Sequence, residues 1–170
     1  MEKVVEFEKK TMFPKKHLDM EFMYSYLLKS AAKYSDRTVD EVKGVYRSLQ
    51  DSISFAKEGG RVPISEESAA LFKKQGYLLR KQITFEHKTP LATYKHDIHK
   101  FFSSDPDKFW DLLWEKADSV LVTKEEDKRL RKAKLTSSLP KDGRDRYEVA
   151  DIVISDIKLS LEDIKYPKKS

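Results

Sequence analysis

Two short apolar runs rich in β-branched residues constrain the fold most, because a helix start follows each of them directly. The runs are QITF at 82–85 and SVLVT at 119–123, and their length and composition are typical of strands. After the first run, Thr89 and Pro90 fit the N-cap and the first position of a helix. After the second, T-K-E-E at 123–126 fits a capping box, in which two side chains bind the exposed N–H groups of a helix start. The second half of the chain is therefore predicted to mix strands with helices.

The first half has the helical period instead. Helices are predicted at 19–33, from a capping box at Thr38 to Gly59-Gly60, and from Ser65 to Gly76. VVEF at 4–7 is a short β-prone run. These patterns predict a helical first half with one short strand at its beginning.

Two further segments define the rest of the expected fold. DPDKFWDLLWEKA, from Asp105, has the spacing of a helix with a buried stripe, whereas 147–164 fits a helix and its IKLSL segment also alternates like a strand. We expect an α+β fold, a mainly helical single domain over 1–170 with a small two- or three-stranded sheet. The helical half would cover about 1–80 and the mixed half about 81–166, and the strands would be 82–85, 119–123 and, as a third member, 3–7.

Composition excludes several classes of site. The 170-residue chain has no cysteine, which rules out disulfides, thiolate zinc sites and cysteine nucleophiles. No apolar stretch approaches the roughly 20 residues of a membrane span, and acidic residues interrupt the short apolar segment of the N-terminus MEKVVEFEKKTMF. We therefore expect a full-length cytoplasmic protein.

The positive charge is unevenly distributed. The formal net charge is +5, and residues 72–100 alone carry seven basic side chains against two acidic ones. A second basic block, KRLRKAK, follows at 128–134. Such asymmetry favours an anionic partner, most commonly nucleic acid, although solvated helix faces produce similar runs. The candidate nucleic-acid-binding side chains are Lys88, Lys95, Lys128, Arg131 and Lys132.

Three of the four histidines lie in ITFEHKTPLATYKHDIHKFF, at 83–102. A helix beginning at Leu91 would place Ile98 and Phe101 in a core stripe, with His96 towards solvent and His99 on the flank of the stripe. This spacing favours plain surface histidines over a pair of metal ligands.

His87 is different, because it would lie between a strand end and a helix N-terminus, where anions are favoured. Glu86 is its neighbour, and Lys88 and Arg80 are close in sequence. An imidazole base, a carboxylate and cations are useful groups for cutting a phosphodiester. The alternative is a turn histidine that only caps the strand.

FEHKTPL, at 85–91, resembles the first half of the HNH (ββα-metal) nuclease motif, an acidic residue and a histidine followed by proline, as in [DE]-H-x-x-P. The resemblance implies that Glu86 binds a divalent metal ion, Mg²⁺ or Mn²⁺, and that His87 activates water. A later metal ligand would be an acid such as Asp111 or Glu115. The family usually has an asparagine on its second element and a β-hairpin after the motif; this chain has no asparagine, and the segment after the motif has the helical period.

Arg80 and His87 also fit the R-x(4–6)-H pattern of HEPN ribonucleases, which implies metal-independent cleavage of RNA by these two residues. A third interpretation needs no catalysis, because the basic helix around Lys128 suits a module that binds nucleic acid or acts as a protein inhibitor. We favour a nucleic-acid-binding protein that acts as a metal-dependent, HNH-like endonuclease, and keep the other two as alternatives.

Overall fold

The computed structural model describes residues 20–165, so the strand expected at 3–7 lies outside the described residues. The chain forms two compact units. The described part of the helical unit comprises 20–59 and 95–117, and that of the mixed unit comprises 60–94 and 118–165. Within 20–165, no helix is long and apolar enough to cross a membrane.

The helices and strands of this part of the chain are short. The helices are α1 (Met20–Lys33), α2 (Val39–Lys57), α3 (Glu66–Gln75), α4 (Lys95–His99), α5 (Pro106–Lys116), α6 (Lys124–Lys132) and α7 (Arg146–Val149). The strands are β1 (Arg61–Ser65), β2 (Leu78–Leu79), β3 (Ile83–His87), β4 (Ser119–Thr123), β5 (Ile154–Ser160) and β6 (Ile164–Lys165). Three-residue 3₁₀ turns occur at Arg80–Gln82, Leu91–Thr93 and Leu161–Asp163.

The helical unit is built from α1, α2, α4 and α5. In α1, Met23 and Leu27 are buried, whereas Phe22 is 38% exposed. Glu41 caps the N-terminus of α2, because its carboxylate accepts a hydrogen bond from the Thr38 N–H at 2.8 Å. In α5 the stripe of Phe109 and Leu113 is fully buried. The helices predicted at 19–33, from Thr38 and from Asp105 are thus confirmed.

The mixed unit contains a four-stranded sheet in the order β3-β4-β1-β5. β4 pairs antiparallel with β3 and parallel with β1, and β5 pairs antiparallel with β1. β2 and β6 form a separate parallel pair. The α+β fold class is confirmed, and the sheet has two strands, β1 and β5, that were not among the three expected.

The segment 147–164, whose sequence fits both a helix and a strand, contains the end of a short helix followed by a strand. α7 ends at Val149, Asp151 has a positive φ of 54°, and β5 then runs from Ile154 to Ser160. β5 is a strand because it pairs with β1, with Leu159 opposite Val62 in the register.

The expected continuous helix from Leu91 to Phe102 was wrong. The structure has a 3₁₀ turn and then the five-residue α4, since Tyr94 between them has a φ of −137° and cannot continue a helix. His99 is also not a plain surface histidine: it is half-buried, and its Nδ1 lies 2.5 Å from the Tyr46 hydroxyl. The buried phenol explains this contact, because a polar group inside the protein needs a hydrogen-bond partner.

The burial pattern of α4 gives the first testable prediction. Ile98 is fully buried and His96 is exposed. We expect Ile98→Ala to lower the free energy of unfolding by about 2–5 kcal/mol and His96→Ala to change it by less than about 0.5 kcal/mol. Urea denaturation of the two variants measures both values, and equal losses would contradict this orientation of α4.

Candidate functional site

Glu86 and His87 occupy the end of β3, beside the start of β4. The register places Glu86 opposite Val120 and His87 opposite Ser119. Since successive side chains of a strand point to opposite faces, the two residues are directed to different sides of the sheet. The resemblance to the nuclease motif implied that both act at one centre, and the strand geometry separates them.

Glu86 lies on the face that also carries Val120 and Val122, against which Leu130, Tyr147 and Ile152 pack. Its main partner is Arg146, whose side chain is 1% exposed. Arg146 Nη2 donates to Glu86 Oε2 at 2.9 Å, and Nη1 donates to the His87 carbonyl oxygen at 2.7 Å. One buried arginine therefore fixes the side chain of Glu86 and the backbone of His87 together.

Arg146 is positioned by the start of α7. The Asp145 carboxylate caps this helix by accepting from the Tyr147 N–H at 2.7 Å, and the Tyr147 hydroxyl donates to the Glu86 carbonyl oxygen at 3.4 Å. Sequence reasoning missed both Arg146 and Tyr147 as site residues. Asp145 could have indicated a helix start, but no local pattern indicates that an arginine will be buried.

The charges around Glu86 act in opposite directions on its protonation. Burial raises the pKa of the Glu86 carboxyl, while the positive charge of Arg146 lowers it and the negative charge of Asp127 raises it further; the net direction is upwards. Burial dominates because removing a carboxylate from water disfavours its charged form. Burial likewise raises the pKa of the Tyr147 phenol, which stays protonated and acts as a donor.

A second buried carboxylate, Asp127 of α6, belongs to the same environment. Arg131 binds Asp127 with two nitrogen atoms, at 2.7 and 3.3 Å. The Thr84 hydroxyl donates to Asp127 at 3.4 Å and accepts from Lys124 Nζ at 2.8 Å. Thr84 and Glu86 share one face of β3 because they are two residues apart. This face therefore holds two buried carboxylates, each paired with an arginine.

His87 is half-buried on the opposite face. Its Nδ1 lies 2.8 Å from the Ser119 hydroxyl, and its ring meets the Phe85 ring edge-on, with 5.5 Å between centroids. These two contacts fix the orientation of the imidazole. The long helix N-terminus expected next to His87 was wrong: only the 3₁₀ turn Leu91–Thr93 follows, so no helix dipole of several turns supports an anion there.

Arg80 does not converge with His87. Arg80 lies in the 3₁₀ turn before β3 and donates from Nη1 to the Ile83 carbonyl oxygen at 2.9 Å. His87 ends the same strand, and at roughly 3.3 Å per residue the strand is about 13 Å long. The two residues therefore lie at opposite ends of β3, rather than on either side of one phosphate.

The proposed metal ligands are not brought together as a site. Asp111 is exposed on α5 of the helical unit, whereas Glu86 belongs to the mixed unit and binds Arg146. Among residues 20–165, no group of three or more His, Asp or Glu side chains is arranged to hold a metal ion. The described residues thus do not fit a divalent metal ion at Glu86.

The candidate nucleic-acid-binding residues differ in their availability. Lys95 binds Asp40 at 2.8 Å in the helical unit, and Lys128 binds Glu125 at 2.7 Å. Arg131 binds the buried Asp127, and Lys88 lies 3.9 Å from Asp145. Lys132 is exposed and forms no ion pair within residues 20–165. At 100° per residue, one side of α6 carries Lys124, Lys128, Arg131 and Lys132.

Comparison with known proteins adds no further constraint: no protein family model, curated protein or solved structure matches the chain.

Proposed function

We propose that the protein binds nucleic acid through its mixed unit. The observation that carries the proposal is which charged side chains of that unit form ion pairs and which do not. Its exposed lysines Lys74, Lys81 and Lys132 form no ion pair within residues 20–165. The carboxylates of the same unit that have cationic partners include Glu67 with Arg129, Glu86 with Arg146, Glu125 with Lys128 and Asp127 with Arg131.

The helical unit provides the contrast. Its described residues include 10 basic and 11 acidic side chains, against 17 and 14 in the mixed unit. The lysines of the helical unit that are ion-paired include Lys43 and Lys95 with Asp40, Lys100 with Asp97 and Lys108 with Asp105. The net positive charge of the described residues therefore lies in the mixed unit, at +3 against −1 in the helical unit.

Salt dependence tests this proposal. Each phosphate neutralised by a lysine on duplex DNA releases counterions, so the logarithm of affinity falls with the logarithm of salt by about 0.9 per contact. We expect Lys132→Ala to reduce that slope by up to about 0.9. Arg131 is left in place, because its removal would leave the buried Asp127 without its partner. Fluorescence anisotropy of a labelled duplex at several salt concentrations gives the slope.

Lys95→Ala is the matched control. Lys95 already binds Asp40 in the helical unit, so this variant should keep the slope of the unmodified protein. Binding that is independent of salt, or absent on DNA and RNA alike, would remove nucleic acid as the partner and favour a protein-binding module.

A second candidate function is cleavage of the bound phosphodiester, and the order of elements favours it. β3 and β4 are antiparallel neighbours, and α6, which follows β4 directly, packs against both. This strand-strand-helix order is the one that the resemblance to ββα-metal nucleases implies, with residues 88–118 in place of a tight hairpin. His87 is the last residue of the first of these strands.

The chemistry proposed for this centre uses the groups of the chain alone. His87, with its ring oriented by Ser119 and Phe85, takes a proton from an attacking water molecule as a general base. The water oxygen bonds to phosphorus, the bond from phosphorus to one sugar oxygen breaks, and that oxygen takes a proton from solvent. Lys88, next in the chain and exposed, supplies positive charge for the phosphate. Glu86 positions His87 through Arg146 and does not touch the reacting atoms. No step is assigned to a metal ion, because the described residues do not fit one.

A further inference from the structure

An open groove of about 540 Å³ lies on the mixed unit, apart from the end of β3. It is formed by α3, the 3₁₀ turn Arg80–Gln82 and the junction of β4 with α6. Its volume is within the range of about 300–1,000 Å³ that is usual for small-molecule sites. The groove is thus large enough for a ligand of nucleotide size.

The charged side chains of the groove leave it effectively positive. Its two acids are engaged: Glu67 binds Arg129 at 2.7 Å and Glu125 binds Lys128 at 2.7 Å. Lys74 and Lys81, by contrast, form no ion pair in the described part of the chain. Lys124 also lines the groove, with Nζ bound to the neutral Thr84 hydroxyl. Three ammonium groups are therefore available to an anion there.

The remaining lining is suited to a flat, partly apolar group. Ala70 and Leu71 of α3 provide aliphatic surface. The Gln82 amide oxygen accepts from the Leu79 N–H at 3.0 Å and from Gln75 Nε2 at 2.9 Å. With its oxygen fixed in this way, the Gln82 side chain keeps its NH₂ group as a hydrogen-bond donor.

We propose that this groove binds one nucleotide of a single-stranded nucleic acid. The phosphate is bound by Lys74 and Lys81, and the base lies against Leu71 with Gln82 as a donor to its edge. Single-strand binding usually combines a positively charged groove that follows the backbone with aromatic surface for the bases. In this groove Ala70 and Leu71 offer aliphatic surface instead. The inference rests on the proposed nucleic-acid binding and adds where, and in which form, the strand is held.

Two variants of the full chain test the groove. Lys74→Ala/Lys81→Ala removes both ammonium groups, and Ala70→Glu puts a negative charge on an exposed helix position inside the groove. We expect each to weaken binding of a labelled 12-nucleotide single strand by about tenfold or more. The double variant should lower the salt slope by about 0.7, because the two lysines neutralise one phosphate of a single strand. Thermal melting should stay as in the unmodified protein, because the affected side chains are exposed.

Lys73→Ala is the control, since Lys73 is an equally exposed lysine of α3 that does not line the groove. It should change the affinity by less than about threefold. If the protein binds the strand and both groove variants bind it equally well, the groove proposal is wrong while nucleic-acid binding stands. Equal weakening by Lys73→Ala would also overturn it, in favour of a diffuse positive field. If the unmodified protein does not bind the strand or a duplex, the proposed function itself fails.

Discussion

His87→Ala is expected to reduce phosphodiester cleavage by about 10²–10⁴-fold, because a general base acts only in the transition state. Affinity for nucleic acid should be nearly unchanged. The free energy of unfolding should fall by no more than about 1.5 kcal/mol, the value of the half-buried hydrogen bond to Ser119. Cleavage of a labelled oligonucleotide, with anisotropy and thermal melting of the same preparation, measures all three quantities.

Two further variants make this comparison specific to His87. His96→Ala changes a histidine that is exposed on α4 and should leave cleavage intact. Ser119→Ala removes the side chain that orients the imidazole and should cause a smaller loss than His87→Ala. Full activity in a folded His87→Ala protein, or a loss of activity only in proportion to unfolding, would make this histidine a structural residue of the strand end.

Arg146→Met is expected to lower the free energy of unfolding by about 3–5 kcal/mol, since it leaves the buried Glu86 carboxylate without its cation. Arg144→Met is the matched control. Arg144 is exposed and pairs with the exposed Asp142, and a surface pair of this kind contributes about 0–1 kcal/mol. Chemical denaturation of both variants at neutral pH gives the comparison.

Two measurements attribute the lower free energy of unfolding of Arg146→Met to Glu86. They are the pH dependence of that free energy and a second substitution. Burial already raises the pKa of Glu86, and without Arg146 the folded state binds its proton more tightly than the unfolded state does. The deficit of Arg146→Met should therefore be smallest below about pH 4, near the pKa of an unfolded glutamate, and should grow as the pH rises through the folded-state pKa. Glu86→Gln in the Arg146→Met background should recover part of the stability. A deficit independent of pH, with no recovery, would contradict the buried ion pair.

Elements defined by local chemistry were predictable from the sequence. β4 runs from Ser119 to Thr123, as predicted, and the capping box follows it, with the Glu126 carboxylate accepting from the Thr123 N–H at 2.6 Å. The box specifies a helix start from four neighbouring residues, so no tertiary information is needed. The Ser65 cap, whose hydroxyl accepts from the Ser68 N–H, was predictable for the same reason.

Elements defined by long-range pairing were not predictable in this way. β1 contains Pro63, which argues against an internal strand because proline has no N–H to donate. The strand forms nevertheless, since Val62 and Ile64 are fully buried and the pairing with β5 shifts register between Pro63 and Ser65. Burial and pairing with a strand nearly a hundred residues away outweigh the local preference.

Only part of the candidate site could be predicted from the sequence. Glu86, His87 and Lys88 stood out as chemically useful neighbours, but the register of β3 against β4 decides that Glu86 and His87 face opposite sides. Arg146, 60 residues further along the chain, binds Glu86, and its role depends on the packing of α7. The expected helix after Pro90 failed because Tyr94 interrupts the period, which hydrophobic spacing alone does not reveal.

The most direct measurement of the central claim is a combined shift and cleavage assay with the unmodified protein. Labelled single-stranded DNA, duplex DNA and RNA are each incubated with Mg²⁺, with Mn²⁺ and with EDTA, at low and high salt, and separated on native and denaturing gels. We expect a shifted complex that weakens as salt rises, with cleavage products that persist in EDTA. A protein that neither shifts nor cleaves any of the three substrates under any of these conditions would contradict it.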